Sequence, residues 1–346
     1  MDTAYFYLTE EGRKLSTKLA AVHPGDVYGK EDFKNKLREA FSHYDYLVCI
    51  MATGIVVRIL APLIVHKTSD PGVVVMDQKG GYAISLLSGH LGGANDLARK
   101  MAQISGGQAV ITTATDVAGE LSFDSFAKAH NMAIENISSL KHISGALLSG
   151  RKIAVITDYF FPELKEASVA GKMDIISKDE VRDLIKGDEV VVIDEGLTLP
   201  VEIASRFQAV LYIRPRTICA GIGCKRNMDA APIEAALRQV LSEEGLSPLS
   251  LKCISTIPLK SDEPGIVTTA RHLKVPLKII DTEEIEKLDT QALNIQGSDF
   301  VAAQTGVVSV STASSYLASG KGEILRDKVK FKGITIALCK EVLREE

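Results

Sequence analysis

A histidine in a glycine-rich turn is the feature of this sequence that most clearly offers chemistry. His90 lies in the run 88–96, which reads Ser-Gly-His-Leu-Gly-Gly-Ala-Asn-Asp. An apolar run at 82–87 predicts a buried strand before the turn, and apolar residues at helical spacing predict a helix after it. Glycines let the backbone approach a ligand closely, and a helix start offers free N–H groups to an anion. The pattern indicates either an anion-binding site around His90 or an ordinary turn.

Two other apolar runs end in small or hydroxyl residues and favour the first interpretation. One precedes Thr53-Gly54, and the other precedes the segment 112–116, which ends at Asp116. Loops that follow neighbouring strands of an α/β sheet commonly line one ligand crevice. We therefore expect these two loops and the turn around His90 to meet at a single crevice.

The alternation of strand and helix patterns predicts an α/β fold with mainly parallel sheets. We expect two α/β domains, at residues 1–135 and 215–346, joined by a middle α/β region at 136–214. Within the first domain, the runs 72–76 and 82–87 predict a hairpin, with Asp77 to Gly81 as its connection.

Composition excludes several classes of protein. The 346 residues carry a formal net charge of −4 and no tryptophan, which argues against a nucleic-acid-binding protein. No apolar run reaches the roughly 18 residues of a membrane span, and no signal-like segment is recognisable, so we expect no membrane partner. The five cysteines show no paired spacing, which fits a cytoplasmic location. The seven histidines are scattered, so we expect no metal site.

A second glycine turn, Gly221-Ile222-Gly223, follows a predicted strand in the last domain. It suggests a dinucleotide site, but Arg226 stands where that fingerprint needs its third glycine. Lys225 and Arg226 fit a clamp for carboxylates better, because a guanidinium matches the planar shape of a carboxylate. The polar turns 260–265 and 304–306 are candidates for the same crevice, and each is equally typical of simple turn chemistry.

The long segments quoted above resemble the cobalt-precorrin-5A hydrolase family of anaerobic cobalamin biosynthesis. The resemblance covers nearly the whole chain and is weak only in the middle region. Its amino-terminal part spans about 46–117, and its carboxy-terminal part runs from about 217 to 335, through 217–226, 260–265, 304–306 and 332–335. Asn227 stands where that family more often has glycine. The resemblance implies an enzyme that opens the δ-lactone of cobalt-precorrin-5A and releases acetaldehyde to give cobalt-precorrin-5B. It also implies that the cobalt belongs to the corrinoid substrate and that the enzyme needs no cofactor.

On that basis we hypothesise that neutral His90 is the general base toward a water that attacks the lactone. Backbone N–H groups around Gly92-Gly93 would stabilise the oxyanion, and Asp116 would take part in a second proton transfer. Glu263 and Asp96 remain alternatives for the base. Further residues are expected to bind the substrate: Thr53, Gly54, Arg58, Ser88, Gly89, Asn95, Thr113, Thr115, Gly221, Gly223, Lys225, Arg226, Gln304 and Thr305.

Two other classes of function stay open at this point. A non-catalytic corrinoid-binding or channelling protein would bind the same ligand without turnover. A dinucleotide-dependent oxidoreductase would need the turn at Gly221 to hold a pyrophosphate. Other enzymes of cobalamin biosynthesis and a second copy in a homodimer are left open as partners.

Overall fold

The structure, a computed structural model, describes residues 2–66, 69–183, 189–293, 295 and 310–342. Its contacts divide the chain into two compact units. The first unit comprises Met1–Lys128 and Leu147–Gly150, and the second comprises Ala129–Ala146 and Arg151–Glu346.

The first unit contains a six-stranded sheet with strand order β2-β1-β3-β4-β5-β6. Its strands are β1 (Thr3–Tyr7), β2 (Asp26–Tyr28), β3 (Tyr46–Ile50), β4 (Gly72–Met76), β5 (Tyr82–Leu87) and β6 (Gln108–Val110). Its helices are α1 (Glu10–Val22), α2 (Phe33–Ala40), α3 (Thr53–Leu60), α4 (Ala94–Ser105), α5 (Ala114–Ala118) and α6 (Phe123–Ala129).

The direction of the strands decides which loops lie together. Strands β1 to β4 are mutually parallel, whereas β5 runs antiparallel to β4 and β6 runs parallel to β5. The predicted hairpin is therefore confirmed. Because β5 runs in the reverse direction, the loops that follow β5 and β6 lie at the edge where β3 and β4 begin. The start of β4 contacts the glycine turn, since a Cβ atom on Gly72 would lie 2.7 Å from the carbonyl oxygen of Gly92.

Helix α4 fixes the position of the glycine turn. It buries Ala94, Leu97, Ala98, Met101 and Ala102, the apolar stripe that the sequence predicts. Burial of a leucine or methionine side chain of this size stabilises a fold by about 1.5–3 kcal/mol. The helix start, and with it the turn, is therefore held firmly against the sheet.

The other described residues form two further sheets, the first mainly parallel and the second with parallel and antiparallel strand pairs in equal number. The strand orders are β7-β11-β10-β8-β9 and β14-β13-β12-β16-β15. The strands are β7 (Met132–Ile134), β8 (Ile153–Ile156), β9 (Met173–Ile176), β10 (Glu189–Ile193), β11 (Ala209–Pro215), β12 (Ile218–Cys224), β13 (Leu251–Thr256), β14 (Leu277–Ile279), β15 (Glu323–Phe331) and β16 (Ile334–Lys340). The helices are α7 (Leu140–Leu148), α8 (Pro162–Val169), α9 (Val201–Ala204), α10 (Ala230–Glu243), α11 (Pro264–His272), α12 (Thr282–Glu286) and α13 (Ser311–Ala318).

The predicted α/β class with mainly parallel sheets is confirmed. Strands β8 to β11 are parallel to their neighbours, and only β7 joins their sheet antiparallel. In the last sheet β12, β13 and β14 are parallel, and β16 is antiparallel to β12 and β15. The domain limits at 135 and 214 stay a prediction. Within the described ranges, no helix is both long and apolar enough to cross a membrane.

A buried glutamate joins the middle sheet to the last one within the second unit. Glu195 is 3% exposed and accepts hydrogen bonds from the hydroxyls of Tyr159 and Thr217, the latter at 2.7 Å. Nζ of Lys340, at the end of β16, lies 3.2 Å from its second carboxylate oxygen. A buried carboxylate needs such partners to offset its lost hydration. The middle region is thus attached to the last sheet through specific polar contacts.

Candidate active site

The backbone of the glycine turn is closed by three hydrogen bonds. The N–H groups of Ala94 and Asn95 donate to the carbonyl oxygens of Ser88 and Gly89 at 3.2 and 2.9 Å. The N–H of Gly93 donates to the carbonyl oxygen of His90 at 2.8 Å. Gly93 has a φ of 80°, a left-handed conformation that glycine adopts without steric cost. The turn therefore presents His90 in a fixed position.

Both ring nitrogens of His90 lie against carboxylates. Nε2 is 2.6 Å from Oδ2 of Asp116, on α5, and Nδ1 is 3.1 Å from Oδ2 of Asp124, on α6. The side chains of His90, Asp116 and Asp124 are 13%, 15% and 8% exposed. The cluster is thus mostly shielded from solvent, yet a small reactant can still reach it.

Asp116 is held in place by two further donors. Arg99 donates to its Oδ1 at 2.5 Å, and Nδ2 of Asn95 donates to its Oδ2 at 2.9 Å. Asn95 is 3% exposed, donates to the hydroxyl of Thr113 at 3.1 Å and accepts from Ser85 at 2.7 Å. Because this buried amide has partners at both ends, it fixes the carboxylate of Asp116 relative to the ring.

The same contacts set the protonation of the three groups. Burial lowers the pKa of His90, but the hydrogen bonds and charges of Asp124 and Asp116 together raise that pKa above its usual 6.5. Burial raises the pKa of Asp116, and the larger combined effect of Arg99 and His90 lowers it below 3.8. Burial also raises the pKa of Asp124, which His90 and Ser122 more than offset, so this pKa is lowered too. The resting cluster therefore favours a charged imidazolium between two carboxylates.

Such a cluster is suited to proton transfer. A carboxylate on Nδ1 fixes the ring and its tautomer, and it stabilises the positive charge when Nε2 takes a proton. Asp124 has the geometry for that task. When His90 is neutral with its proton on Nδ1, the lone pair of Nε2 faces the carboxylate of Asp116, and the repulsion between them favours uptake of a proton by Nε2. The raised pKa makes His90 a stronger base than a free imidazole.

Most of the residues predicted around His90 are brought together. Asp116, Asn95 and Thr113 belong to the hydrogen-bonded cluster, and the hydroxyl of Thr115 lies 3.4 Å from Nε2 of His90. Ser88, Gly89, Gly92 and Gly93 form the turn itself. The alternative base Asp96 has a 77% exposed side chain and pairs with Arg99 at 2.9 Å.

The expectation of a single crevice is wrong for the loop after β3. Thr53, Gly54 and Arg58 belong to α3, which starts at the edge where β3 and β4 end, opposite the edge of the glycine turn. Arg58 donates to the carbonyl oxygen of Gly54 at 3.0 Å within its own helix. The reversed direction of β5 separates these residues from His90. Thr53 instead lines a cavity of about 460 Å³ at the opposite edge.

In the second unit, the glycine turn after β12 is set by packing. A Cβ atom on Gly221 would overlap the carbonyl oxygen of Ser311, and one on Gly223 would lie 2.7 Å from the hydroxyl oxygen of Thr335. Gly221 is therefore needed for the approach of α13, which argues against a pyrophosphate site there. Asn227 adopts a φ of 58°, so asparagine takes the left-handed conformation that glycine would otherwise supply.

The charged residues predicted for that turn make contacts within their own unit. Arg226 donates to Asp262 at 3.0 Å, and the N–H of Lys225 donates to the carbonyl oxygen of Gly333 at 2.8 Å. Glu263 is fully buried, accepts from the N–H of Met228 at 3.2 Å and lies 3.5 Å from Nζ of Lys260. Its contacts are those of a structural carboxylate. Gln304 and Thr305 lie outside the described residues.

Sequence reasoning missed four residues of the cluster. They are Ser85, Arg99, Ser122 and Asp124. Arg99 could have been found, because it lies four positions after Asn95 and therefore on the same face of α4. Asp124 is 34 positions from His90 and has no local motif. Across the described ranges, no group of three histidine, cysteine or acidic side chains is arranged to hold a metal ion.

Comparisons with known proteins agree along the whole chain. Family models described as cobalamin synthesis G N-terminal, cobalamin biosynthesis central region and cobalamin synthesis G C-terminus match residues 35–116, 121–276 and 218–339. The cobalt-precorrin-5A hydrolase of Salmonella typhimurium is 35% identical over 351 residues, which cover 97% of this chain and 96% of the relative. That of Priestia megaterium is 30% identical and covers 98% of this chain and 94% of the relative.

Among solved structures, a homolog of cobalamin biosynthesis protein G from Sulfolobus solfataricus covers 99% of this chain and 97% of its own, with 22% identity and a TM-score of 0.41. The two relatives with at least 30% identity cover 97% and 98% of this chain. The chain therefore belongs to the cobalt-precorrin-5A hydrolase family.

Proposed function

We propose that this chain opens the δ-lactone of cobalt-precorrin-5A and releases acetaldehyde to give cobalt-precorrin-5B, with His90, Asp116 and Asp124 as the proton-transfer centre. The observation that carries the proposal is the placement of both His90 nitrogens against carboxylates, 2.6 and 3.1 Å away, at the edge of the glycine turn. The enzyme acts in cobalamin biosynthesis on a cobalt-precorrin. The cobalt is part of that substrate, and no cofactor of the enzyme is proposed.

In the first step neutral His90 takes a proton from water through Nε2 while the water oxygen bonds to the lactone carbonyl carbon. Asp124 holds the ring through Nδ1 and stabilises the imidazolium that forms. The carbon–oxygen bond of the lactone then breaks. The departing alkoxide takes the proton back from Nε2, which leaves a carboxylic acid and a carbinol on the substrate. The acid then releases its proton to solvent and becomes a carboxylate.

Two backbone groups are available for the negative charge that develops on the carbonyl oxygen. The N–H groups of Leu91 and Gly92 donate to no acceptor in the part of the chain that the structure describes, whereas the N–H of Gly93 is already bonded to His90. The oxyanion donors are therefore proposed to be Leu91 and Gly92 in place of Gly92 and Gly93. One such donor lowers a barrier by roughly 3–4 kcal/mol in well-studied enzymes.

In the second step the carbinol proton passes to the pair formed by His90 Nε2 and Asp116. The carbon–carbon bond breaks, acetaldehyde leaves, and the electron pair of that bond passes into the macrocycle. Because Arg99 keeps Asp116 ionised, the proton stays on Nε2 of His90, and Asp116 stabilises the imidazolium. Substrate contacts by Lys225 and Arg226 stay proposals, as do a homodimer, contacts with other enzymes of the pathway and a cytoplasmic location.

The test is acetaldehyde release from cobalt-precorrin-5A by the purified protein under anaerobic conditions. A coupled alcohol dehydrogenase reports the aldehyde, and the mass of the corrinoid reports loss of the two-carbon unit. We expect one acetaldehyde for each corrinoid converted. Tight binding of the corrinoid without aldehyde would replace the proposal with the non-catalytic carrier, for which the structure offers no specific observation.

A further inference from the structure

A cavity of about 370 Å³ lies on the side of the glycine turn next to the start of β3 and β4. Its lining includes Leu91 and Gly92 from the turn, Asp45 and Asp70 from the loops before β3 and β4, and Lys128 from α6. One water molecule occupies about 30 Å³ of the liquid, so the cavity has room for a small substituent as well as water. It shares two residues of the turn with the candidate active site.

Lys128 is the unusual residue of this cavity. Its Nζ donates to the hydroxyl of Tyr46 at 3.2 Å and lies 5.2 Å from the centre of that ring. The amine also packs directly on Gly93, because a Cβ atom on that glycine would overlap Nζ. Glycine at position 93 therefore serves two purposes, since it supplies the left-handed backbone and makes space for the ammonium group.

Within the described residues the ammonium group of Lys128 forms no ion pair, and its polar partner is the hydroxyl of Tyr46. The two acids that line the cavity have donors of their own: Asp70 accepts from the N–H of Val65 at 3.1 Å, and Asp45 accepts from the N–H of Asp2 at 2.9 Å. Burial lowers the pKa of Lys128, against the weaker attraction of Asp96 and Asp45. A half-buried cation without a paired anion costs free energy that a bound anion would recover.

We propose that Lys128 binds a carboxylate substituent of the substrate in this cavity and so determines which corrinoids are accepted. The inference rests on the proposed function for the identity of the substrate, and on the unpaired ammonium for the chemistry of the group. Helix α6 carries both Asp124, which contacts the ring of His90, and Lys128, whose ammonium group packs on Gly93. Occupation of the cavity therefore positions the macrocycle against the helix that also orients the catalytic ring.

The first test is steady-state kinetics of Lys128→Gln, with Lys79→Gln as the control. Lys79 is an exposed lysine in the connection between β4 and β5, so its replacement makes the same change in net charge in the same unit. Loss of one charge-assisted hydrogen bond is expected to raise KM about tenfold or more at unchanged kcat. Lys128→Arg keeps the charge and should stay within about threefold of the wild type. An unchanged KM in a folded Lys128→Gln protein would overturn the proposal.

A second test does not depend on turnover. Sodium propionate at 100 mM, compared with equal sodium chloride, should raise the melting temperature of the wild type and of Lys79→Gln, and not that of Lys128→Gln. If acetaldehyde is never formed, this measurement decides the carboxylate site separately from the proposed function. Equal effects of propionate on all three proteins would exclude Lys128 as the site.

Discussion

Replacement of Asp124 by asparagine tests the role of the carboxylate on Nδ1 of His90. The amide oxygen of asparagine still accepts the Nδ1 proton, so the ring keeps its orientation while the negative charge is lost. A unit charge pair at the observed 3.1 Å attracts by about 5 kcal/mol at an effective dielectric constant of about 20. Asp124 is 5% exposed, and the hydration that it loses on burial offsets much of this attraction.

The net stabilisation of charged His90 by Asp124 is then about 1.5–3 kcal/mol, the usual contribution of a hydrogen bond to a charged group. Since His90 is charged in the transition state, that loss corresponds to a fall in kcat of about 10- to 100-fold. The pH profile supplies a second signature. Activity that needs neutral His90 rises with pH through a midpoint above 6.5 in the wild type, because Asp124 and Asp116 raise the pKa more than burial lowers it. The midpoint should move to lower pH in Asp124→Asn.

Acetaldehyde release between pH 5.5 and 9 measures both effects, and the unfolding curve of each variant shows that the fold is intact. Asp174→Asn is a suitable control, because that carboxylate is 59% exposed and pairs with Lys152 at 2.6 Å, far in sequence from the His90 cluster. A variant Asp124→Asn with the wild-type kcat and the wild-type midpoint would refute the assignment of this residue as the partner of the catalytic ring.

Three further predictions concern the turn, the pH dependence of stability and the opposite edge of the sheet. Gly93→Ala should lower the free energy of unfolding by at least about 1–2 kcal/mol, the cost of a left-handed alanine, because the new methyl group also displaces Nζ of Lys128; urea titration measures this. The raised pKa of His90 adds stability that is complete below pH 6.5 and is lost as the pH rises through the raised pKa. The lowered pKa values of Asp116 and Asp124 add stability that is lost as the pH falls below 3.8. The melting-temperature difference between the wild type and His90→Gln should therefore be largest at about pH 4–6.5 and shrink in alkali; a constant difference would contradict it. Arg58→Ala should keep kcat within about threefold of the wild type, because Arg58 lies at the edge of the sheet opposite His90. A loss of kcat comparable with that of Asp124→Asn would contradict the placement of these residues at opposite edges.

The local elements of this chain were readable from its sequence. The apolar stripe of α4 and the hairpin of β4 and β5 follow directly from their periodicities, and both were confirmed. The glycine turn between them was located for the same reason. Local patterns determine local structure well when each element is strongly periodic and bounded by glycines.

The arrangement of the loops was harder to predict, although the hairpin already implied it. An antiparallel β5 reverses the edge to which its loop belongs, so the loop at Thr53 and the turn at His90 lie apart. The sequence indicated three polar loops and gave no direct sign of which edge each would occupy. Strand direction therefore has to be applied before loops are assigned to a common crevice.

The cluster itself was found only in part. His90 lies in the turn, Asn95 in the helix after it, and Asp116 in the short helix α5 that follows β6, where strand and helix patterns point to them. Asp124 contacts His90 across 34 positions and lies in a short helix with no motif, so only the tertiary structure reveals it. In the second unit, Gly221 packs against the start of α13 and is therefore not accessible to a ligand.

The most direct test of the central claim is single-turnover acetaldehyde release by His90→Gln, with His272→Gln as a matched control. His272 has a side chain that is 58% exposed in the second unit, so its replacement should leave the rate unchanged. The account predicts that His90→Gln still binds cobalt-precorrin-5A, keeps its fold and releases acetaldehyde at least about 100-fold more slowly than the wild type. Release at the wild-type rate would contradict the assignment of the His90 cluster as the catalytic centre.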